Sequence, residues 1–315
     1  MPESAGRWSH PSVILVATDL SDLDRLIPFA LKEAAETESR LLLIHVLSAS
    51  AALAVDAAGM PYYDPSSAAD YAAKTLEAWR TIGHEKGIAC DILIRDGNPA
   101  QQIAAAARQF NAGRVLLGTR SRGKVSKLLL GSVAEQVLRS VNLPVMTVGP
   151  EAHLPVQSSL TPRVVLHATT LREASRPSAA LACQIAIAQN ARLVLLHVLP
   201  TPANGKDVAA ELEAAAKTEL AVLAEFTGSN EMGCPACIEP RVVHGNPAIE
   251  ILATASELDV SLIVLGATQR SALQNLTRDR TIYRVLAHAR CPVLTLREAA
   301  TAIPEPPEAA SLLHF

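Results

Sequence analysis

Val115-Leu116-Leu117-Gly118-Thr119-Arg120-Ser121-Arg122-Gly123-Lys124, followed by Gly131-Ser132-Val133-Ala134-Glu135, is the stretch that decides the fold. Val115 to Leu117 reads as a short buried strand that stops at Gly118. A basic loop comes next, and Gly131-Ser132 opens an amphipathic segment that runs to Ser140. Glycine lets a backbone approach an anion closely, and the first amides of a helix point outward with the positive end of the dipole behind them. Strand, basic Gly-containing loop and helix start together describe an anion cradle. The frame recurs at Ile263-Val264-Leu265-Gly266-Ala267-Thr268-Gln269 and Asp279-Arg280, with its anion chemistry removed.

Outward from that stretch, the chain is written twice. Val13-Ile14-Leu15-Val16-Ala17-Thr18-Asp19 matches Val164-Val165-Leu166-His167-Ala168-Thr169-Thr170, and Arg40 to Leu47 matches Arg192 to Leu199. Gly97-Asn98-Pro99-Ala100 matches Gly245-Asn246-Pro247-Ala248, and Leu143-Pro144-Val145 matches Cys291-Pro292-Val293. The expected organisation is a first domain over 1–150, a linker over 151–162, a second domain over 163–298 and a tail over 299–315. In each copy short apolar runs alternate with Ala-rich helical stretches, which argues for an α/β fold with a doubly wound parallel sheet. Each Asn-Pro supplies an N-cap followed by proline at the first helical position, so helices are expected from Pro99 and Pro247. In such a sheet ligands sit beyond the carboxyl ends of the strands where the strand order reverses. Neighbouring strands ending at Asp19 and Gly118 would bring an acid and the loop to one crevice.

With 315 residues and a formal charge of −3, the chain has room for two domains and no electrostatic footprint for nucleic acid or an anionic membrane. Aromatic residues make up only 3%, so the core is expected to be aliphatic. The 5 cysteines are scattered and odd in number, unlike a secreted disulfide framework. The start, Met1-Pro2-Glu3-Ser4, has no apolar core of a signal peptide, and no apolar run reaches bilayer length. A cytoplasmic location is the expectation.

On these residues each half resembles a universal stress protein domain, and the whole resembles a tandem member of that family. The resemblance covers about 12–149 and 163–297. The family's ATP-binding members carry Gly, two residues, Gly, nine residues, then Gly-Ser or Gly-Thr; Gly118 and Gly131-Ser132 fit, while Ser121 stands at the second glycine. The resemblance implies two five-stranded Rossmann-like sheets, akin to the adenine nucleotide alpha-hydrolase fold, paired through Val145–Val148 and Val293–Leu296 as a pseudo-dimer within one chain. Further homodimerisation stays open. It also implies ATP or a related adenine nucleotide in the first half, with Mg2+ able to bridge its phosphates. Asp19 would bind the ribose hydroxyls, Ala17 and Thr18 would line the base, the Val46 backbone would read the adenine edge and Leu117 would pack beneath it. Gly118, Gly131, Ser132 and Val133 would hold phosphates. If position 121 needs a positive φ, Ser121 costs about 1 kcal/mol, although its hydroxyl is a donor suited to phosphate. In the second half Thr170 replaces the aspartate, Gln269 the second glycine and Asp279-Arg280 the Gly-Ser, and a carboxylate there repels phosphate by roughly 1–4 kcal/mol. No nucleotide is expected in that half.

Alternatives stand beside this reading. Ser132 with Glu135 is also a capping box that any helix carries. Gly118 to Lys124 nearly spells a Walker A loop, but Val125 stands where the magnesium-binding hydroxyl belongs. Cys234-Pro235-Ala236-Cys237 offers half a zinc site or a redox pair against a reading of incidental loop cysteines; Cys90, Cys183 and Cys291 read as small core residues. His45 and His197 hold matching positions and read as structural. Met60-Pro61-Tyr62-Tyr63-Asp64-Pro65 reads as a lid or as a packed connection. No catalytic array emerges from the spacing, and the resemblance allows slow ATP hydrolysis at most. Three function classes follow: a nucleotide-binding stress module with protein partners still to be identified, a nucleotide-free scaffold acting through protein contacts, and a metal or redox sensor at Cys234 and Cys237.

Overall fold

A strand buried on both faces must be apolar along its whole length, and the runs around the quoted stretch meet that demand. The computed structural model describes residues 8–47, 53–55, 61–63, 65–119, 130–154, 162–201, 206–228, 238–268 and 280–298. The first half holds β1 (Val13–Ala17), α1 (Leu23–Thr37), β2 (Arg40–Leu47), β3 (Leu53–Val55), β4 (Pro61–Tyr63), α2 (Pro65–Glu85), β5 (Cys90–Asp96), α3 (Pro99–Gln109), β6 (Arg114–Gly118), α4 (Ser132–Ser140) and β7 (Val145–Val148). The second half holds β8 (Val164–Ala168), α5 (Arg176–Ala188), β9 (Arg192–Leu199), α6 (Lys206–Gly228), β10 (Ile238–His244), α7 (Pro247–Glu257), β11 (Leu262–Thr268), α8 (Arg280–His288) and β12 (Val293–Glu298).

The main strands form one 10-stranded sheet in the order β10-β9-β8-β11-β12-β7-β6-β1-β2-β5. In this sheet every pairing within a half is parallel; β7 meets β12 antiparallel, with Met146 opposite Leu294. The two five-stranded sheets expected from the resemblance are therefore joined through their last strands into one sheet. Thr147 Oγ1 donates to the Val293 carbonyl across that seam at 3.2 Å, and Arg297 donates to the Arg139 carbonyl at 2.8 Å. On one face α1, α2, α5 and α6 cover a core that runs unbroken across both halves, including Ile14, Leu26, Leu76, Met146, Leu294, Leu181 and Leu220. The other face carries two cores, one under α3 and α4 and one under α7 and α8. The core is aliphatic, as the composition requires. Glu36 of α1 ties the halves again, accepting from Arg163 at 2.5 Å and Gln189 at 3.2 Å.

Local chemistry sets the helix starts. The Asn98 side chain accepts from the Gln101 amide at 3.1 Å, and Asn246 accepts from Ala248 and Ile249 at 3.1 and 3.4 Å. Pro99 and Pro247 follow as first helical residues. The preceding Gly97 and Gly245 have φ of 117° and 149°, which L side chains adopt only with strain. The stretch read as lid or connection contributes β4, which pairs antiparallel with β3 in a separate 2-stranded sheet. Cys90, Cys183 and Cys291 are free and buried; burial pushes the Cys90 thiol up to about 11 and Cys291 to about 12, so neither is a nucleophile at neutral pH.

Two buried polar groups interrupt the aliphatic pattern. Arg114 opens β6 with no solvent exposure, pairs with the buried Glu33 of α1 and donates to the Trp8 carbonyl at 2.6 Å. Burial lowers its pKa to about 10, so it stays charged at neutral pH. His167 of β8 stands where the first half has Val16. Its Nδ1 donates to the Val264 carbonyl at 3.1 Å, and its Nε2 has no partner among the described residues. Burial holds its pKa down at about 4, the carbonyl contact opposing this, so the ring is neutral.

Candidate nucleotide crevice

Because β1 lies between β2 and β6, the strand order reverses beside it. The chain leaves β1 toward α1 on one face of the sheet and leaves β6 toward α4 on the other. This is the arrangement in which a crevice opens past the strand ends. Ala17 and Leu117 are buried partners on β1 and β6, and Val46 is buried near the end of β2. Thr18 follows β1, buried, and its hydroxyl accepts from the Leu20 amide at 2.9 Å. Asp19 is exposed at the rim and accepts from the Ser21 amide at 2.9 Å and the Ser21 hydroxyl at 2.6 Å.

Across the crevice, the Gly131 amide donates to the Thr119 carbonyl at 2.8 Å. That bond draws the start of α4 to the end of β6, although ten residues intervene between Thr119 and Leu130. Gly131 is the N-cap residue, so Ser132 and Val133 open the helix, both exposed. The capping-box alternative fails on this point: Ser132 is not the cap, and Glu135 pairs with Arg139 at 2.6 Å. By helix geometry the opening amides have no intrahelical acceptor. Gly131 has φ −61° and ψ 141°, values open to any residue, so its backbone does not demand glycine. Thr119 is buried and its hydroxyl has no partner among the described residues.

The matched histidines brace the strand ends. His45 Nδ1 lies 2.9 Å from the Thr18 carbonyl, and His197 Nδ1 lies 2.9 Å from the Thr169 carbonyl. A carbonyl only accepts, so Nδ1 carries the proton in both rings. Each brace fixes the turn that follows the first strand of its half, where Leu20 and Leu171 take φ of 71° and 59°.

One residue of the crevice escaped the sequence patterns. Asp22 is buried, accepts from the Thr18 hydroxyl at 2.8 Å, and sets its other carboxylate oxygen against Gly118, in the space a Cβ at 118 would fill. Its only signal in sequence is Thr18 four residues earlier. Ser121, Gln269, Asp279, Cys234 and Cys237 lie outside the described residues, and among the described residues no group of three or more metal-ligating side chains occurs.

Fold and crevice together define a pair of fused doubly wound α/β domains. The model of the universal stress protein family matches residues 12–149 and 162–297, and the chain belongs to that family. It is 25% identical over 295 residues to a universal stress protein of Mycolicibacterium smegmatis, covering 90% of this chain and 96% of that one. A crystal structure of a universal stress protein from Archaeoglobus fulgidus superposes with TM-score 0.68 at 19% identity, covering 92% of this chain and 98% of that one. A universal stress protein solved in complex with cAMP aligns to 43% of this chain and 97% of its own, at 20% identity and TM-score 0.37. Among the described residues no helix is long and apolar enough to cross a membrane.

Proposed function

We propose that the crevice between β1 and β6 binds one adenine nucleotide, ATP or a close relative, and that the second half binds none. The observation that carries this reading is the Thr119–Gly131 hydrogen bond, which sets a helix N-terminus beside Gly118 at the reversal point of the sheet. Asp19 is the ribose ligand, Ala17 and Thr18 line the base, the Val46 backbone meets the adenine edge and Leu117 supports it. Gly118, Ser121, Gly131, Ser132 and Val133 take the phosphates. The unpartnered Thr119 hydroxyl fits a polar ligand nearby. A Mg2+ ion would be held chiefly through the phosphates, as this cation usually is. The bound nucleotide sets the conformation that a protein partner recognises in a cytoplasmic stress response.

Native mass spectrometry of the purified chain, with identification of the released small molecule, tests this. One nucleotide per chain is expected. Asp19→Ala removes a charged hydrogen-bonding group and should weaken binding roughly 10- to 100-fold. Gly131→Ala is compatible with the backbone conformation at this position and adds a methyl group at the helix start, so it should weaken binding without a large loss of stability. Unchanged affinity in both variants refutes the site. The Asp22 carboxylate against Gly118 favours a second reading, a nucleotide-free scaffold; a null titration with Mg-ATP would support it.

A further inference from the structure

Asp22 stands at the N-cap position of α1, yet its side chain makes no cap hydrogen bond. Its carboxylate turns into the crevice instead. There it accepts from Thr18 and its Oδ2 fills the space a Cβ at 118 would take, so any side chain at 118 would have to displace the Asp22 carboxylate. The groups facing the carboxylate come from three elements. The turn after β1 supplies the Thr18 hydroxyl and the Asp19 charge. α1 supplies Arg25, whose Nη2 is 4.0 Å away. The end of β6 supplies Gly118 and Thr119, which carry no charge. Burial raises the Asp22 pKa to about 6; the Thr18 hydrogen bond opposes the shift, Asp19 adds to it and Arg25 opposes it. The balance among these described groups is two acids against one base.

We infer that Asp22 is the residue that sets the charge specificity of the crevice: ionised, it disfavours a ligand phosphate at Gly118, so a nucleotide binds together with a proton while a nucleoside does not. This rests on the nucleotide reading given above. Protonated, the carboxyl loses its charge and becomes a donor to a phosphate oxygen. Ionised, it leaves an anion beside an anion in a crevice that shields little. The site therefore discriminates between adenosine and its phosphorylated forms, and the discrimination grows with pH.

The test is calorimetric titration of the full chain with adenosine and with adenosine 3′,5′-cyclic monophosphate, from about pH 5 to about pH 8. The cyclic ligand is chosen because its single phosphodiester keeps the same charge throughout. Adenosine affinity should be flat. Cyclic nucleotide affinity should fall by up to about tenfold per pH unit above about pH 6, with proton uptake measurable from the dependence on buffer ionisation heat. Asp22→Asn keeps an acceptor for Thr18; it should abolish the slope and raise neutral-pH affinity for the nucleotide. The wild-type proton count stands independently if that variant folds poorly. A flat wild-type response to the cyclic nucleotide, equal slopes for the two ligands, or a slope that persists in Asp22→Asn overturns the inference while leaving nucleotide binding intact. Failure of both ligands and of Mg-ATP to bind either protein at any pH overturns the nucleotide reading itself, and this inference with it.

Discussion

Replacing Arg114 with methionine should cost about 3–5 kcal/mol, because it strands the Glu33 carboxylate in the core. The magnitude follows from the surroundings. Arg114 has no exposure and Glu33 is 6% exposed, so water cannot reach either group to replace the lost partner. The Trp8 carbonyl also loses its donor, adding about 1 kcal/mol. Burial lowers the arginine pKa to about 10, which marks the charge itself as costly to bury. Removing both charges should therefore recover most of the loss: Glu33→Met with Arg114→Met should lie within about 2 kcal/mol of wild type. Urea unfolding of the four proteins of the cycle gives the coupling energy. A single variant within about 1 kcal/mol of wild type, or a double variant as poor as the sum of the singles, would refute the picture of a tight buried pair.

Other expectations concern the same scaffold. His167 is neutral when folded and titrates normally when unfolded, so the unfolded chain binds the extra proton between pH 6.5 and about 4. Stability should thus fall with acid across that window, by about 3 kcal/mol from this residue. His167→Val, which copies Val16, should remove that fall, read as the variant-minus-wild-type difference in melting temperature against pH. The difference is needed because Asp22 contributes the opposite sign, its raised pKa adding stability as pH drops from about 6 toward 3.8. Asn98→Ala and Asn246→Ala should each cost about 1 kcal/mol and add in the double variant, as caps on separate halves do; a urea series checks both. Glu36→Gln should cost at most about 1 kcal/mol, with the loss shrinking in high salt, since its partners are partly exposed.

The architecture was legible because its determinants are local. Buried parallel strands appear as unbroken aliphatic runs such as Val13–Ala17, and Asn-Pro marks a helix start wherever it stands. Repetition then supplied the duplicated sheet. What the sequence hid depends on pairs far apart along the chain. Asp22 meets Gly118 across 96 positions, Glu36 meets Arg163 across 127, and Trp8 meets Arg114 across 106. No periodicity encodes such meetings, and Arg114 carries no sequence signal that sets it apart from an exposed arginine. The capping-box alternative fails for a different reason: Ser-x-x-Glu gives the spacing but not which residue leaves the helical conformation first, and that residue is Gly131.

The antiparallel seam between β7 and β12 turns the two halves head to tail. In the 10-stranded sheet the strands of one half run opposite to those of the other, so the two mouths open on opposite rims. The strands of each half anchor those of the other through this one seam. It also fixes where the halves are tied. The carboxyl end of β7 and the amino end of β8 share a rim, so the connection never has to cross the sheet. His153 donates its amide to the Arg290 carbonyl at 3.0 Å, and Glu151 meets His288 at 3.4 Å, on the rim that holds the first mouth. The rim that carries the first mouth is thus also the rim on which the two halves are strapped together.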